Sequence, residues 1–235
     1  MSIEIVEEKV LFIDIETVSQ YPNYGQMPEN WQRLWDKKAE NIKRDENDTA
    51  DTLYQRAGIY AEFGKIICVC AGFFHHGEFR VKSYSNAEEK DLLSDFAGLL
   101  NDFYKRHFNT LCAHNGKEFD YPYLIRRMLV NGVYIPDILN ITGKKPWEVP
   151  HLDTMELWKF GDFKNYTSLE LLAALFDIPS PKDDISGSDI HKVYWTEGNL
   201  ARIEKYCRKD VVTIAQIIRR FQGKPLIDED QIVYV

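Results

Sequence analysis

The stretch Val10-Leu11-Phe12-Ile13-Asp14-Ile15-Glu16-Thr17 reads as a buried β-strand that carries two acids. Side chains alternate faces along a strand, so Phe12, Asp14 and Glu16 project one way and Leu11, Ile13 and Ile15 the other. Neighbouring carboxylates repel each other and resist leaving water, so burying both is costly unless hydrogen-bond donors or a cation compensate. A divalent metal is the simplest compensation, and a solvated strand edge is the alternative. Which one holds depends on whether the rest of the chain supplies partners.

The chain has 235 residues, a net charge of −8, 44% hydrophobic residues and 13% aromatic residues. This is enough apolar content for one sizeable core, and it predicts a single domain over residues 1–235. No N-terminal run has the basic, apolar and small-residue order of a signal peptide, and the longest apolar run, 66–74, is far short of the roughly 20 residues that cross a bilayer. These features predict a cytoplasmic protein without membrane contact. Cys68 and Cys70 alternate along a strand, and Cys112 and Cys207 sit in other apolar segments, with no zinc-binding spacing anywhere. All are expected as reduced core residues. The acidic balance speaks against holding nucleic acid by bulk charge, but not against acids that hold metals.

Beyond the first strand, residues 21–60 are polar and strongly charged, with a spacing that suggests two helical pieces joined through the acidic run 45–51. The interval is expected as a helical insertion between two strands, a solvated decoration rather than a lid over a site. Residues 65–74 and 78–84 read as a hairpin turning at His75-His76-Gly77. Ser85-Asn86 then caps a helix with Leu92, Leu93, Phe96, Leu99, Leu100 and Phe103 at helical spacing. Short strands over 109–113 and 151–153, helices over 121–130, 154–158 and 168–176, and a long last helix over 197–221 follow. The fold class is α/β, a mixed sheet flanked by helices, with the acids where sheet meets helix.

Two further segments supply partners for Asp14 and Glu16. In His114-Asn115-Gly116-Lys117-Glu118-Phe119-Asp120-Tyr121-Pro122-Tyr123 a strand ends, turns at Asn115-Gly116 and enters a helix near Pro122, leaving Asp120 at its N-terminus. Asp120 there is also readable as a helix cap that needs no metal. In the last helix, Leu200, Ile203, Cys207, Val211, Ile214, Ile218 and Phe221 form the apolar stripe, and Tyr206 and Asp210 lie one turn apart along its edge. A hydrogen bond that merely anchors the helix is the alternative for that pair.

Taken together, Asp14, Glu16, Asp120 and Asp210, with Tyr206 one turn before the last acid, resemble in type, order and spacing the DEDD superfamily of exonucleases with a tyrosine in the third motif. More closely, Asn115-x-x-x-Phe119-Asp120-x-Pro122-Tyr123 and Tyr206-Cys207-x-x-Asp210 look like the proofreading exonuclease domain of B-family DNA polymerases. The resemblance runs from about residue 10 to residue 221. It departs in two respects: these residues hold no polymerase segment, and 21–60 is not part of the common pattern. The chain thus resembles the stand-alone predicted exonucleases related to that domain.

This resemblance implies a ribonuclease-H-like fold and a 3′-5′ exonuclease that uses two divalent cations, Mg²⁺ or Mn²⁺. Asp14 would bridge both ions, Glu16 and Asp210 would complete the one that acidifies the attacking water, and Asp120 would hold the other, mostly through water. Tyr206 would orient that water, because a neutral phenol is a poor base near pH 7. Thr17, Asn115 and Phe119 match family positions that grip the terminal nucleotides, Phe119 by stacking. Single-stranded DNA is the expected substrate, cut from the 3′ end to 5′-mononucleotides. An exoribonuclease and a non-catalytic nucleic-acid-binding module on the same fold are the alternatives. Phosphate contacts are expected from among Lys117, Lys144, Lys145, Lys182, Arg208 and Lys209.

Overall fold

The computed structural model describes residues 4–104, 110–162, 164, 166–179 and 184–235. Its sheet has six strands in the order β5 (Leu152–Asp153), β4 (Thr110–Ala113), β1 (Val10–Ser19), β2 (Gly64–His75), β3 (Glu78–Tyr84) and β6 (Ile232–Tyr234). β1 pairs antiparallel with β2 and parallel with β4, and is therefore hydrogen-bonded on both edges. β2 and β3 form the expected hairpin around a two-residue turn, with His76 and Gly77 both at positive φ, 51° and 85°. Positive φ at both positions matches the right-handed twist of the strands it joins. β6, three residues long and parallel to β3, was not foreseen.

The alternation expected of β1 holds. Leu11, Ile13 and Ile15 enter one buried cluster, where α3 (Glu89–Tyr104) contributes Leu92, Leu93 and Phe96 and α4 (Asp120–Asn131) contributes Leu124 and Met128. Val10, Phe12 and Val18 enter a second cluster on the other face, built on Ile203, Cys207, Val211 and Ile214 of α8 (Leu200–Phe221). α8 lies directly on the sheet: a methyl group on Gly72 would sit 2.7 Å from Val211 Cγ1. Opposite Glu16 and Thr17 the register slips by one residue, because β2 carries the extra residue Ile67. Ile67 and Cys68 consequently both face α8. Such bulges re-aim side chains at the edge of functional sites.

The interval 21–60 holds two helices, α1 (Glu29–Ile42) and α2 (Ala50–Tyr54), but it is not a solvated decoration. Trp35 and Tyr54 are fully buried in a cluster of their own, with rings 5.5 Å apart in edge contact. The end of the interval and the residue that follows it are also tied to α4. Tyr123 donates its phenol proton to the Gly58 carbonyl at 2.7 Å, and Arg127 Nη1 donates to the Ala61 carbonyl at 2.9 Å. Gly58 is packed so closely that a Cβ there would lie 2.9 Å from the Val18 carbonyl carbon.

On the α8 side, α5 (Thr154–Lys159), α6 (Leu169–Leu175) and α7 (Ile190–Trp195) complete the layer, α7 being unforeseen. The side chain of Phe103, expected in the α3 stripe, lies outside the described residues, as do Asn109 and Lys182. Among the described residues no helix is long and apolar enough to cross a membrane.

Candidate active site

Asp14 and Glu16 project from the middle of β1 toward α8, as their even spacing requires. The Cys207 thiol donates to the Asp14 carbonyl at 3.5 Å, fixing the height of α8 against the strand. Oxygen atoms of Asp14 and Glu16 and the Cys207 sulfur all fall within 4.8 Å of one another. One turn of α8 then delivers Tyr206 and Asp210 to the same place, with the Tyr206 hydroxyl hydrogen-bonded to the Asp210 carboxylate. Asp120 arrives from the far side as the first residue of α4. The cap position belongs to Phe119, which makes no side-chain cap, so Asp120 is not serving as the helix cap.

Electrostatics report the same convergence. Burial, then the carboxylates of Glu16, Asp210 and Asp120, hold the Asp14 pKa well above the ordinary carboxylate range. Glu16 is raised likewise, by burial and then by Asp210. Asp120 is pushed up to about 8, by burial and then by Asp153, although backbone hydrogen bonds from Ile15 and from Asp120 itself work the other way. Tyr206 is raised by burial and by Asp210, and so stays a neutral phenol. Desolvated like charges are costly without a cation, and that cost is general to such clusters.

The residues fit a divalent metal. Asp14 Oδ2 is buried and has no hydrogen-bond partner among the described residues. The donor set at Asp14, Glu16, Asp120 and Asp210 is all carboxylate oxygen, which suits a hard cation such as Mg²⁺ or Mn²⁺. Cys207 lies in the same cluster, its thiol shared among the Asp14 carbonyl, Cys68 and Cys70.

Asp153, at the end of β5, escaped the sequence reading. It caps α5 by accepting from the amides of Met155 (3.0 Å) and Glu156 (3.3 Å), and it also accepts from the amides of Asn115 (3.0 Å) and Lys117 (3.1 Å). One buried carboxylate thus pins the whole turn that leads to Asp120. His114 adds a second latch, 2.8 Å from Thr154 Oγ1 and 3.0 Å from the Thr167 carbonyl. The turn needs this support, because Asn115 sits at φ 61°. Asp153 followed three residues on by Glu156 is a readable capping pattern, but its reach back to Asn115 is not.

The other expected contacts divide. Asn115 and Phe119 flank the turn before Asp120, and Phe119 is half-buried, 5.3 Å from the Tyr123 ring, with one part in the core and one part outside. Thr17 hydrogen-bonds the Tyr123 hydroxyl at the strand end. Lys117 is paired with Glu156 at 2.5 Å, and Arg208 is bound to Ser83 and, at 3.2 Å, to Glu204. Neither is an uncommitted phosphate ligand. Lys144 and Lys145 are exposed.

Comparison with known proteins bears on the fold and on the family. The fold is similar to that of the family B DNA polymerase from the hyperthermophilic archaeon Pyrobaculum calidifontis, with a TM-score of 0.52 and 14% identity over 90% of this chain and 24% of the polymerase. That likeness bears on the fold, an α/β sheet of the ribonuclease-H-like kind, and the chain spans about a quarter of the polymerase's length. A model of predicted 3′-5′ exonucleases matches residues 59–224, which include Asn115, Phe119, Asp120, Tyr206 and Asp210 and begin after Asp14, Glu16 and Thr17. The chain belongs to the family of predicted 3′-5′ exonucleases related to the exonuclease domain of PolB.

Proposed function

We propose that the chain is a metal-dependent 3′-5′ exonuclease that hydrolyses single-stranded DNA from its 3′ end, the whole chain acting as one unit with 21–60 inserted after β1. The observation that carries this reading is the convergence of Asp14, Glu16, Asp120 and Asp210 with Tyr206 from one strand and two helices. Water adds to the phosphorus of the last phosphodiester, the bond from phosphorus to the 3′-oxygen breaks, and a 5′-mononucleotide leaves.

Asp14, Glu16 and Asp210 would hold one divalent cation, and Asp14 and Asp120 a second, Mg²⁺ or Mn²⁺ in each case. Bound there, such ions supply Lewis-acid polarisation of the phosphate and a more acidic water. The protein groups do the rest. Tyr206, kept neutral by burial and by Asp210, offers its hydroxyl as a fixed hydrogen-bonding group that orients the attacking water. Asp153 and His114 hold the turn that aims Asp120. Phe119, half in the core, offers the terminal base a partly preordered ring. Four buried free thiols suit the reducing cytoplasm.

Digestion of a 5′-labelled single-stranded DNA with Mg²⁺ or Mn²⁺, beside an RNA of the same sequence, tests the proposal. A ladder shortening from the 3′ end with wild type and none with Asp14→Asn is the expected result. Faster loss of the RNA would reassign the sugar. Intact substrate in every lane, with folded protein, would overturn the nuclease reading.

A further inference from the structure

The indole of Trp147 is 71% exposed, yet the turn that carries it is held by hydrogen bonds. Pro146–Glu148 forms a 3₁₀ turn closed at both ends: the Lys145 amide donates to Glu148 Oε2 at 2.7 Å, and the Glu148 amide donates to the Lys145 carbonyl at 2.8 Å. Val149 and Leu139 anchor the loop in the core on either side. A large ring held out in water on a preordered turn loses little freedom when something stacks on it.

Trp147 and Asn115 line a cleft of about 430 Å³ whose charged side chains are of both signs, Lys117 and Lys159 beside Glu118 and Glu156, with Lys117 and Glu156 paired to each other. Asp153, which pins the turn leading to Asp120, lines it as well, so the cleft borders the turn that leads to the carboxylate site. Asn115 adds a second observation. Its Oδ1 is buried and accepts no hydrogen bond among the described residues, a condition that a donor on a bound molecule relieves. Lys145 Nζ lies 5.1 Å from the centre of the Trp147 ring, and Lys144 is beside it in sequence and exposed.

We infer that this cleft is a subsite for one unpaired nucleotide of the substrate strand, with the base stacked on Trp147, an N–H or hydroxyl of the nucleotide donating to Asn115 Oδ1, and Lys144 and Lys145 meeting the neighbouring phosphates. The identity of the strand rests on the nuclease reading; the subsite itself rests on Trp147 and Asn115. A base in a duplex already has neighbours on both faces and offers none to an indole, so the subsite selects for single strands. Every base has a stacking face, so the subsite is tolerant of sequence. Each stacked base of this kind is worth about tenfold in affinity or more.

The test separates binding from turnover. Fluorescence anisotropy of a 5′-fluorescein oligodeoxythymidylate of about twelve nucleotides, with Ca²⁺ in place of Mg²⁺, gives binding, and digestion of the same oligonucleotide with Mg²⁺ gives kcat and KM. Trp147→Ala is expected to weaken binding about tenfold, with the loss appearing in KM rather than kcat, and Trp147→Phe to restore most of it. An exposed residue is safe to truncate, and an unchanged Tm confirms it. Wild-type turnover with Trp147→Ala binding and KM unchanged overturns the subsite and leaves the nuclease reading standing. Trp147-dependent binding without any hydrolysis does the reverse. No binding and no hydrolysis by folded wild type overturns both.

Discussion

On one face of β1, Leu11, Ile13 and Ile15 are sealed among the aliphatic and aromatic side chains of α3 and α4. On the other, Phe12 is sealed just as completely under α8, but the next two outward positions hold Asp14 and Glu16, which meet Asp120, Tyr206 and Asp210. The same strand thus spends one face wholly on packing and divides the other between packing and charge. Each fully buried aliphatic side chain on the first face contributes about 1.5–3 kcal/mol. The clustered carboxylates on the second oppose folding unless a cation compensates them. Buried charge is confined to one side of a single β-pleat, and Ile13 and Asp14 should respond to mutation in opposite ways.

The largest contrast lies between positions 13 and 14. Asp14→Asn is expected to lower turnover about a thousandfold or more while raising the Tm of the metal-free protein, because one repelling carboxylate has become neutral. A Tm that collapses would mean the carboxylate is structural after all. Ile13→Ala, one residue away on the other face, should cost about 3 kcal/mol of stability and leave the turnover of the folded fraction near wild type. Denaturant titration with active-fraction kinetics reads both. A smaller effect is expected at Tyr206→Phe, which keeps the ring and loses the hydroxyl: kcat falls about a hundredfold with metal affinity nearly unchanged, the lower end of the span expected for a group that positions a proton. Equal losses in metal affinity and kcat would reassign Tyr206 to the metal-binding set.

A distinction of another kind between the faces is in pH. Asp120 has its pKa raised from the ordinary 3.8 to about 8, so between those values the folded metal-free protein keeps a proton that the unfolded chain has released. Its stability is therefore expected to fall as pH rises through that window, by about 1.4 kcal/mol per pH unit for one such group, and to level off beyond it. Mg²⁺ or Mn²⁺ should flatten or reverse the slope, since the cation takes the deprotonated form. Tm measured against pH with a chelator and with metal checks this, and a chelator curve that climbs between pH 5 and 8 would contradict the burial of Asp120.

What was readable in the sequence follows the same division. Period-two alternation placed Asp14 and Glu16 opposite Ile13 and Ile15, and the helical stripe of α8 placed Tyr206 and Asp210 at its edge, because both depend only on local geometry. Asp153 was hidden because most of its partners are backbone amides, which every residue has, two of them at Asn115 and Lys117, 38 and 36 positions earlier. The interval 21–60 was misjudged for a related reason. Its charge is real and outward-facing, but Trp35 and Tyr54 make an aromatic core across a gap that no short window spans. β6 has three residues and α7 six, too few for periodicity to announce either.

The contact between the Cys207 thiol and the Asp14 carbonyl bridges 193 positions of sequence. On a ribosome, that separation becomes time: at about 5–20 residues per second, roughly ten to forty seconds pass between the two residues' synthesis. Throughout that interval the nascent chain carries Asp14, Glu16 and, later, Asp120, but neither Tyr206 nor Asp210. The proposed hydrolysis therefore begins only after α8 has been made and has docked. Until then Phe12, Cys70 and Phe79 form an open apolar sheet face, the surface by which a chaperone would recognise the unfinished protein.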